Sequence, residues 1–346
     1  MENRVKRYDM VNVLRMVCAY LVIVIHFMGF QSFGDNAVFA TSQFICRIAV
    51  PFFFLTSGYF FYSKVNKEGY LKKYLINLIK IYLIGTIVYS IVQLRNLYPF
   101  LVQGGVVFTL KLFLVNSISG AMWYFPALIL SIIVVYVFLK KDMIKPLIVL
   151  SVLLLILAVM GDSYYGLIKD TALVNIVNCY NIIFDNTRNG ITIGVPFLTI
   201  GALINKYSLN EKIKKPLGLL IAFFAIFAIE AYLLISNGIP MDYNIYLSLV
   251  LVVPIIFIMA LNSKLKISDK ASNYMREMSV WIYVFHNLIA YILFLCNINV
   301  FLLHSLVRYL IICVISTLLA YVITAVKFRN KNFNETVNNI VDTKTI

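Results

Sequence analysis

What this chain has little of is charge. Only 13% of its 346 residues are Asp, Glu, Lys or Arg, while 62% are hydrophobic; an ordinary soluble domain is roughly 25% charged. That shortage excludes a water-soluble fold, because too few polar side chains exist to cover one. Paired cysteines are missing too. Cys18, Cys46, Cys179, Cys296 and Cys313 form no CxxC pair and mostly fall inside apolar runs, so neither a disulfide framework nor a metal site is expected. A cleavage site is also lacking. The first apolar run is long with no small-residue site behind it, which predicts a retained first helix and not a signal peptide. Acidic residues number 15 against 30 basic ones, a net charge of +15. Nucleic acid is excluded by where the basic residues sit. They cluster between apolar segments, as in loops that face anionic lipid headgroups.

What is present is apolar sequence in spans of bilayer length, each needing about 20 residues. Windows of about 19 residues place ten transmembrane helices near 11–33, 42–62, 74–94, 121–139, 146–162, 190–206, 217–236, 244–262, 279–297 and 303–326. The fold class predicted is an all-α, polytopic bundle. It forms one transmembrane domain over 1–326 with a short polar cytoplasmic tail, 327–346. Twenty-two lysines and arginines fall in the N-terminus, the even-numbered loops and the tail. The odd-numbered loops hold only Arg95, Lys111, Lys169 and Arg188. This asymmetry predicts cytoplasmic N- and C-termini. The loop 95–120 carries the apolar stretch Phe100–Val115, read as a re-entrant or interfacial helix and left out of the ten. The tail contains Asn334-Glu335-Thr336, a sequon on the wrong side to be glycosylated.

Ionisable groups within spans are costly and mark working sites. Here they are Arg15, Arg47, Lys80, Arg308, Glu230, His26 and His286, with His304 near a helix start. Lys80 and Arg308 either snorkel to a membrane face or turn inward. His286 is either a core histidine or part of a site, and Glu230 is expected to pair with a buried base. Arg15 and His26 are eleven residues apart. At about 100° per residue they share one helix face, about 16 Å apart along the axis. A fixed cation suits a phosphate or another anion, and a histidine takes and returns a proton near neutral pH. Such a stripe suits a ligand lying along the first helix; its competitor is a packing stripe satisfied by other helices.

Five motifs then occur in order. Arg15 and His26 enclose ten residues. Arg47 to Tyr59 reads Arg-Ile-Ala-Val-Pro-Phe-Phe-Phe-Leu-Thr-Ser-Gly-Tyr, and Met122-Trp123-Tyr124-Phe125 precedes a middle helix. Arg188-Asn189-Gly190 is followed by Val195-Pro196-Phe197 and Gly201, and Ser279 to His286 reads Ser-Val-Trp-Ile-Tyr-Val-Phe-His. Over about residues 8–325 this pattern resembles the acyltransferase family 3 integral membrane proteins, which O-acylate polysaccharides, lipids and peptidoglycan. It also resembles the membrane half of the vancomycin-resistance serine racemases. Two departures stand out. Asn12 occupies the place of an acid often found three residues before the arginine. Asn77 and Lys80 stand where many members carry two arginines three apart.

The resemblance implies a membrane-bound O-acyltransferase, with acetyl as the default group. It would move an acyl group from cytoplasmic acetyl-CoA or another acyl-CoA to a hydroxyl of a surface glycan or lipid-linked sugar. It also implies a bacterial cytoplasmic membrane. Apart from the acyl-CoA donor substrate, no bound cofactor is expected. His26 and Arg15 are the catalytic candidates, His26 acting as general base or as acyl carrier. Lys72, Lys73, Lys80 and Arg47 are the donor-binding candidates; Trp123, Tyr124, Arg188, Glu230 and His286 are placed on the acceptor side. Trp123 and Tyr124 also suit an ordinary interfacial aromatic belt. The rival is a transporter of a small polar molecule such as serine, for which Pro51, Pro196 and Pro254 supply helix breaks. A scaffold without turnover has little in its favour, since buried charges are a costly way to build one.

Overall fold

The computed structural model describes the backbone of residues 7–343 and the side chains of residues 7–330. Of the basic residues counted above, Arg4, Lys6 and Lys344 lie outside the described residues. For Lys331 and the sequon only the backbone is described. Among the described residues every regular element is helical. The first five are α1 (Asp9–Phe27), α2 (Asp35–Tyr62), α3 (Tyr70–Val92), α4 (Leu94–Asn116) and α5 (Tyr124–Lys140). They are followed by α6 (Ile144–Met160), α7 (Val174–Phe184), α8 (Gly190–Lys206) and α9 (Pro216–Ser236). The chain ends with α10 (Leu249–Leu261), α11 (Asp269–Leu295) and α12 (Ser305–Thr343). Residues 327–343 of the segment expected as a polar tail thus continue the last helix.

Seven helices, α1 to α4, α9, α11 and the first 26 residues of α12, are long and apolar enough to cross a membrane. Four expected spans instead appear as the shorter helices α5, α6, α8 and α10. Two of these, α8 and α10, are flanked by irregular backbone packed inside protein, the setting in which non-helical chain survives at membrane depth. Asp162 satisfies the irregular stretch before α10 by accepting from the backbone N–H groups of Asn244 (2.8 Å) and Ile245 (3.3 Å). Glu230 accepts from those of Leu247 (2.7 Å) and Ser248 (2.8 Å) and from the Tyr164 hydroxyl (2.8 Å). Glu230 therefore meets backbone donors and a tyrosine, where a buried base was expected.

The segment α4 was left out of the expected spans, yet it qualifies by length and composition. Its geometry is that of a chain doubling back. Gly105 has φ 71°, a left-handed conformation that glycine tolerates. The rings of Phe100 and Phe108 meet edge-on at 4.7 Å, whereas eight residues of straight helix would part them by about 12 Å. Asn96 Nδ2 donates to the Tyr291 hydroxyl (3.0 Å) and the Tyr283 hydroxyl donates to the Ala121 carbonyl. Those tyrosines are only about 12 Å apart along α11, well short of a hydrocarbon core of about 30 Å.

Helices α2 and α8 pack backbone against backbone. A Cβ on Gly58 would fall inside the Leu198 backbone, and one on Gly201 inside the Leu55 carbonyl. Two glycines of the sequence motifs thus let the backbones touch. At one end of the bundle all six basic segments meet. Arg7 pairs with Asp269, Asn210 Nδ2 donates to Asn262 Oδ1 (3.4 Å), and Lys206 approaches Asp142 (3.5 Å). Lys140 reaches Asn66 (3.3 Å) and Lys327 reaches Glu277 (2.6 Å). We call this the basic end.

Candidate functional site

Four spaces succeed one another along α1, α2 and α11. The first is a vestibule of about 1190 Å³ at the basic end, lined by Arg7, Arg15, Lys64 and Arg276 among others. It shares Arg15, Ser57 and Tyr74 with a second, smaller chamber that Tyr124 and Tyr283 also line. Tyr283 in turn borders a third small chamber, lined by His26, Arg47, Trp123, Arg188 and Asn244. His26 is shared with the fourth space, an outer cleft formed with Ser119, Asn287 and Asn299. The shared helix face read for Arg15 and His26 is thus a face of cavities, with Tyr283 between them. Arg15 Nε is buried and has no hydrogen-bond partner among the described residues, so a donor is left for a ligand.

His26 is half-buried, its ring centroid 5.1 Å from that of the fully buried His286. The tautomer of His286 follows from its partners. Nδ1 faces two carbonyl oxygens, of Tyr283 (2.8 Å) and Ile282 (3.2 Å). Carbonyls only accept, so Nδ1 carries the proton and Nε2 presents a lone pair. That Nε2 is buried and has no partner among the described residues. Beside His26 there is therefore a second fixed acceptor.

The cations of the third chamber come from two irregular places. Arg47 lies just before Pro51, whose missing N–H and ring disrupt the helix one turn back; residues 39–48 wind as wide and tight turns there. Arg188 lies between α7 and α8, with its guanidinium 5.5 Å from the Trp123 ring. Both side chains donate to Asn244 Oδ1, at 3.1 and 3.2 Å. Asn244 Nδ2 donates to Asp162 Oδ2 (2.8 Å), which fixes which way the amide points.

The expected site residues are therefore distributed unevenly. His26, Arg47, Trp123 and Arg188 share one chamber, with His286 against it. Arg47, placed with the donor group from sequence, sits instead with His26. Tyr124, placed on the acceptor side, lines the Arg15 chamber, its hydroxyl 3.5 Å from Ser57 Oγ. Lys72, Lys73 and Lys80 are exposed and line none of the four spaces, and neither does Glu230. Arg308 turns inward, donating to Gln31 Oε1 (3.1 Å) near the ends of α1 and α12. Lys64, Arg276, Tyr74, Tyr283, Asn244 and Asp162 were not singled out from sequence. Asp162 carried a signal, an acid closing an apolar span, and Tyr283 stood inside a quoted motif.

The acyltransferase-domain family profile matches residues 8–325, and the chain belongs to that family. Among curated proteins it is 29% identical over 337 residues to an "Amino-acid racemase" of Enterococcus faecalis. That match covers 93% of this chain and 46% of the relative. It is 28% identical over 315 residues to a "Serine/alanine racemase" of Enterococcus gallinarum, covering 87% of this chain and 44% of that protein. The chain thus spans less than half the length of these relatives. No solved structure matches it.

Proposed function

We propose that the protein is a membrane-bound O-acyltransferase, and that it moves an acyl group, acetyl by default, from acyl-CoA to a hydroxyl of a surface glycan or lipid-linked sugar. The observation that carries this reading is the succession of spaces from a basic vestibule past Arg15 and Tyr283 to His26. In this reading the chain crosses a bacterial cytoplasmic membrane ten times, with α4 re-entrant and the basic end in the cytoplasm. The positive-inside asymmetry supports that orientation, as does the meeting of all six basic segments at one end.

The phosphates of the donor would rest against Arg7, Lys64 and Arg276, with Arg15 deeper; both cation types bind phosphate, Arg with more geometric specificity. Lys72, Lys73 and Lys80 drop out of this role because they line no part of the vestibule. The pantetheine arm would run through the second chamber, bringing the thioester to Tyr283 and His26. His26 takes the proton of the acceptor hydroxyl as its oxygen attacks the thioester carbonyl. The carbon–sulfur bond then breaks and the proton passes to the departing thiolate. Positioned proton transfer of this kind contributes about 10²–10⁴-fold. His286 would steady His26 or the hydroxyl through its bare Nε2.

The test is coenzyme A release from radiolabelled acetyl-CoA by purified protein in nanodiscs, wild type against His26→Ala, with candidate acceptors supplied. Release by the wild type that falls about 10²–10⁴-fold in the variant supports the assignment. No release from either, in folded protein that moves serine into proteoliposomes without acyl-CoA, would replace the enzyme with a carrier.

A further inference from the structure

Two guanidinium groups line the third chamber, and no carboxylate is among the described residues that line it with them. No carboxylate among the described residues lies within the 4.0 Å ion-pair distance of Arg47 or Arg188. Asp162 is the acid behind Asn244. Its two oxygens are occupied by the backbone N–H groups of Asn244 and Ile245 and by Asn244 Nδ2. Asp242, whose field also reaches Arg47, makes no ion pair with either arginine. Each guanidinium carries five N–H donors, and each commits one of them to the single oxygen of Asn244. Arg47 Nε is buried without any partner. An ionised group removed from water costs several kcal/mol unless a partner offsets it. Arg47 and Arg188 are both part-buried and face one space with most of their N–H donors uncommitted, an arrangement that suits an anion.

We propose that Arg47 and Arg188 form a carboxylate-binding site inside the His26 chamber, so that the molecule acylated there is a hydroxyl-bearing carboxylate such as a hydroxy acid or a sugar acid. The planar fork of a guanidinium matches a carboxylate in two-point contact. Two forks held by one amide oxygen can grip the two carboxylate oxygens from either side. Trp123 beneath Arg188 and Asp162 behind Asn244 hold the forks in place before a ligand arrives. A carboxylate seated there leaves the rest of a small ligand, with its hydroxyl, in the same chamber as His26. The identification of the ligand as acceptor rests on the acyl-transfer reading; the binding itself does not.

The chain has two tryptophans, Trp123 and Trp281, so Trp281→Phe leaves Trp123 as the sole emitter against Arg188. Protein of that background in nanodiscs is titrated, without acyl-CoA and at fixed ionic strength, with lactate and glycerate. Their uncharged counterparts lactamide and glycerol serve as controls, and phosphate as a competing anion. A saturable change of Trp123 emission with the two carboxylates alone, weakened about tenfold or more by Arg47→Gln or Arg188→Gln, supports the site. An equal response to lactamide, to glycerol or to phosphate overturns it, as does no response to either carboxylate. The comparison of acid with amide needs no arginine variant and stands if those variants fold badly. Acyl-CoA turnover is read in the same nanodiscs. Carboxylate binding without turnover sinks the enzyme and spares the site. Turnover on neutral sugars, with no carboxylate response, sinks the site and spares the enzyme.

Discussion

The vestibule and the His26 chamber both present arginines to a cavity, and they use them in opposite ways. In the vestibule, Arg7 is tied to the buried Asp9 and to the exposed Asp269, and Lys64 is exposed. Such charges are screened by salt within about 8–10 Å and are individually weak. In the chamber, Arg47 and Arg188 are locked to one asparagine that is itself locked to an aspartate. Screening there is poor and geometry is fixed, so each hydrogen bond counts for more. In the proposed reading, one cavity would collect a large, multiply charged ligand from solution and the other would orient something small. The same residue type therefore carries different weight at the two ends.

The largest effects are expected on the chamber side. After His26 itself, His286→Phe should be the most damaging change, since it keeps a ring but removes the Nε2 lone pair. A lost hydrogen bond to a charged group costs about 1.5–3 kcal/mol, or roughly ten- to a hundredfold in rate. The fall should lie in kcat, with KM for acyl-CoA unchanged. A rise in KM alone would move His286 out of the chamber's chemistry and into the donor path.

Next comes the joint that holds the chamber together. Gly201→Ala puts a methyl group into the Leu55 carbonyl, and overpacking of this kind costs about 1–3 kcal/mol. Thermal unfolding in nanodiscs should show a lower midpoint for Gly201→Ala and for Gly58→Ala. By contrast Gly218→Ala, which meets open space, should be neutral or slightly stabilising. An unchanged midpoint for Gly201→Ala would mean that α2 and α8 sit further apart than described here.

Much of this was legible in the sequence, and what escaped did so for physical reasons. Each of the ten expected spans overlaps a helix, because apolar length is a local property. The pairing of Arg15 and His26 on one face was readable from helical periodicity alone. The grouping of cations was not. Arg47 and Arg188 are 141 positions apart and meet only because Pro51 and the 185–189 turn break their helices at the same depth. Asn244 lay hidden at the start of an apolar run, since hydropathy cannot tell an unwound buried stretch from a helix end. Lys72, Lys73 and Lys80 illustrate the converse. Expected from their positions along the chain to face a donor, they are exposed and line none of the four spaces, because a helix face is set by packing partners that one sequence does not display.

Smaller still are the effects expected in the vestibule. Arg276→Gln and Lys64→Gln each remove one of several cations, worth about 0.2–1 kcal/mol for an exposed pair. KM for acyl-CoA should rise no more than about fivefold per substitution, with kcat unchanged and with the rise reduced but not abolished at high salt.

The smallest effect sharpens the contrast most. Lys72→Gln combined with Lys73→Gln removes two positive charges from the start of α3, at the same end of the bundle as the vestibule. If the donor responds only to the general positive field of that end, the double variant should weaken acyl-CoA as much as Arg276→Gln does. If it responds to the lining of the vestibule, the double variant should leave KM within the scatter of the wild type. The exposed placement of both lysines, outside all four spaces, favours the second outcome. The two cases also differ in salt dependence. A field effect vanishes in both variants as the Debye length shrinks, whereas a direct contact of Arg276 with phosphate keeps part of its advantage at high salt because the hydrogen bond survives screening. Measuring KM at two ionic strengths for the two variants therefore separates attraction from contact.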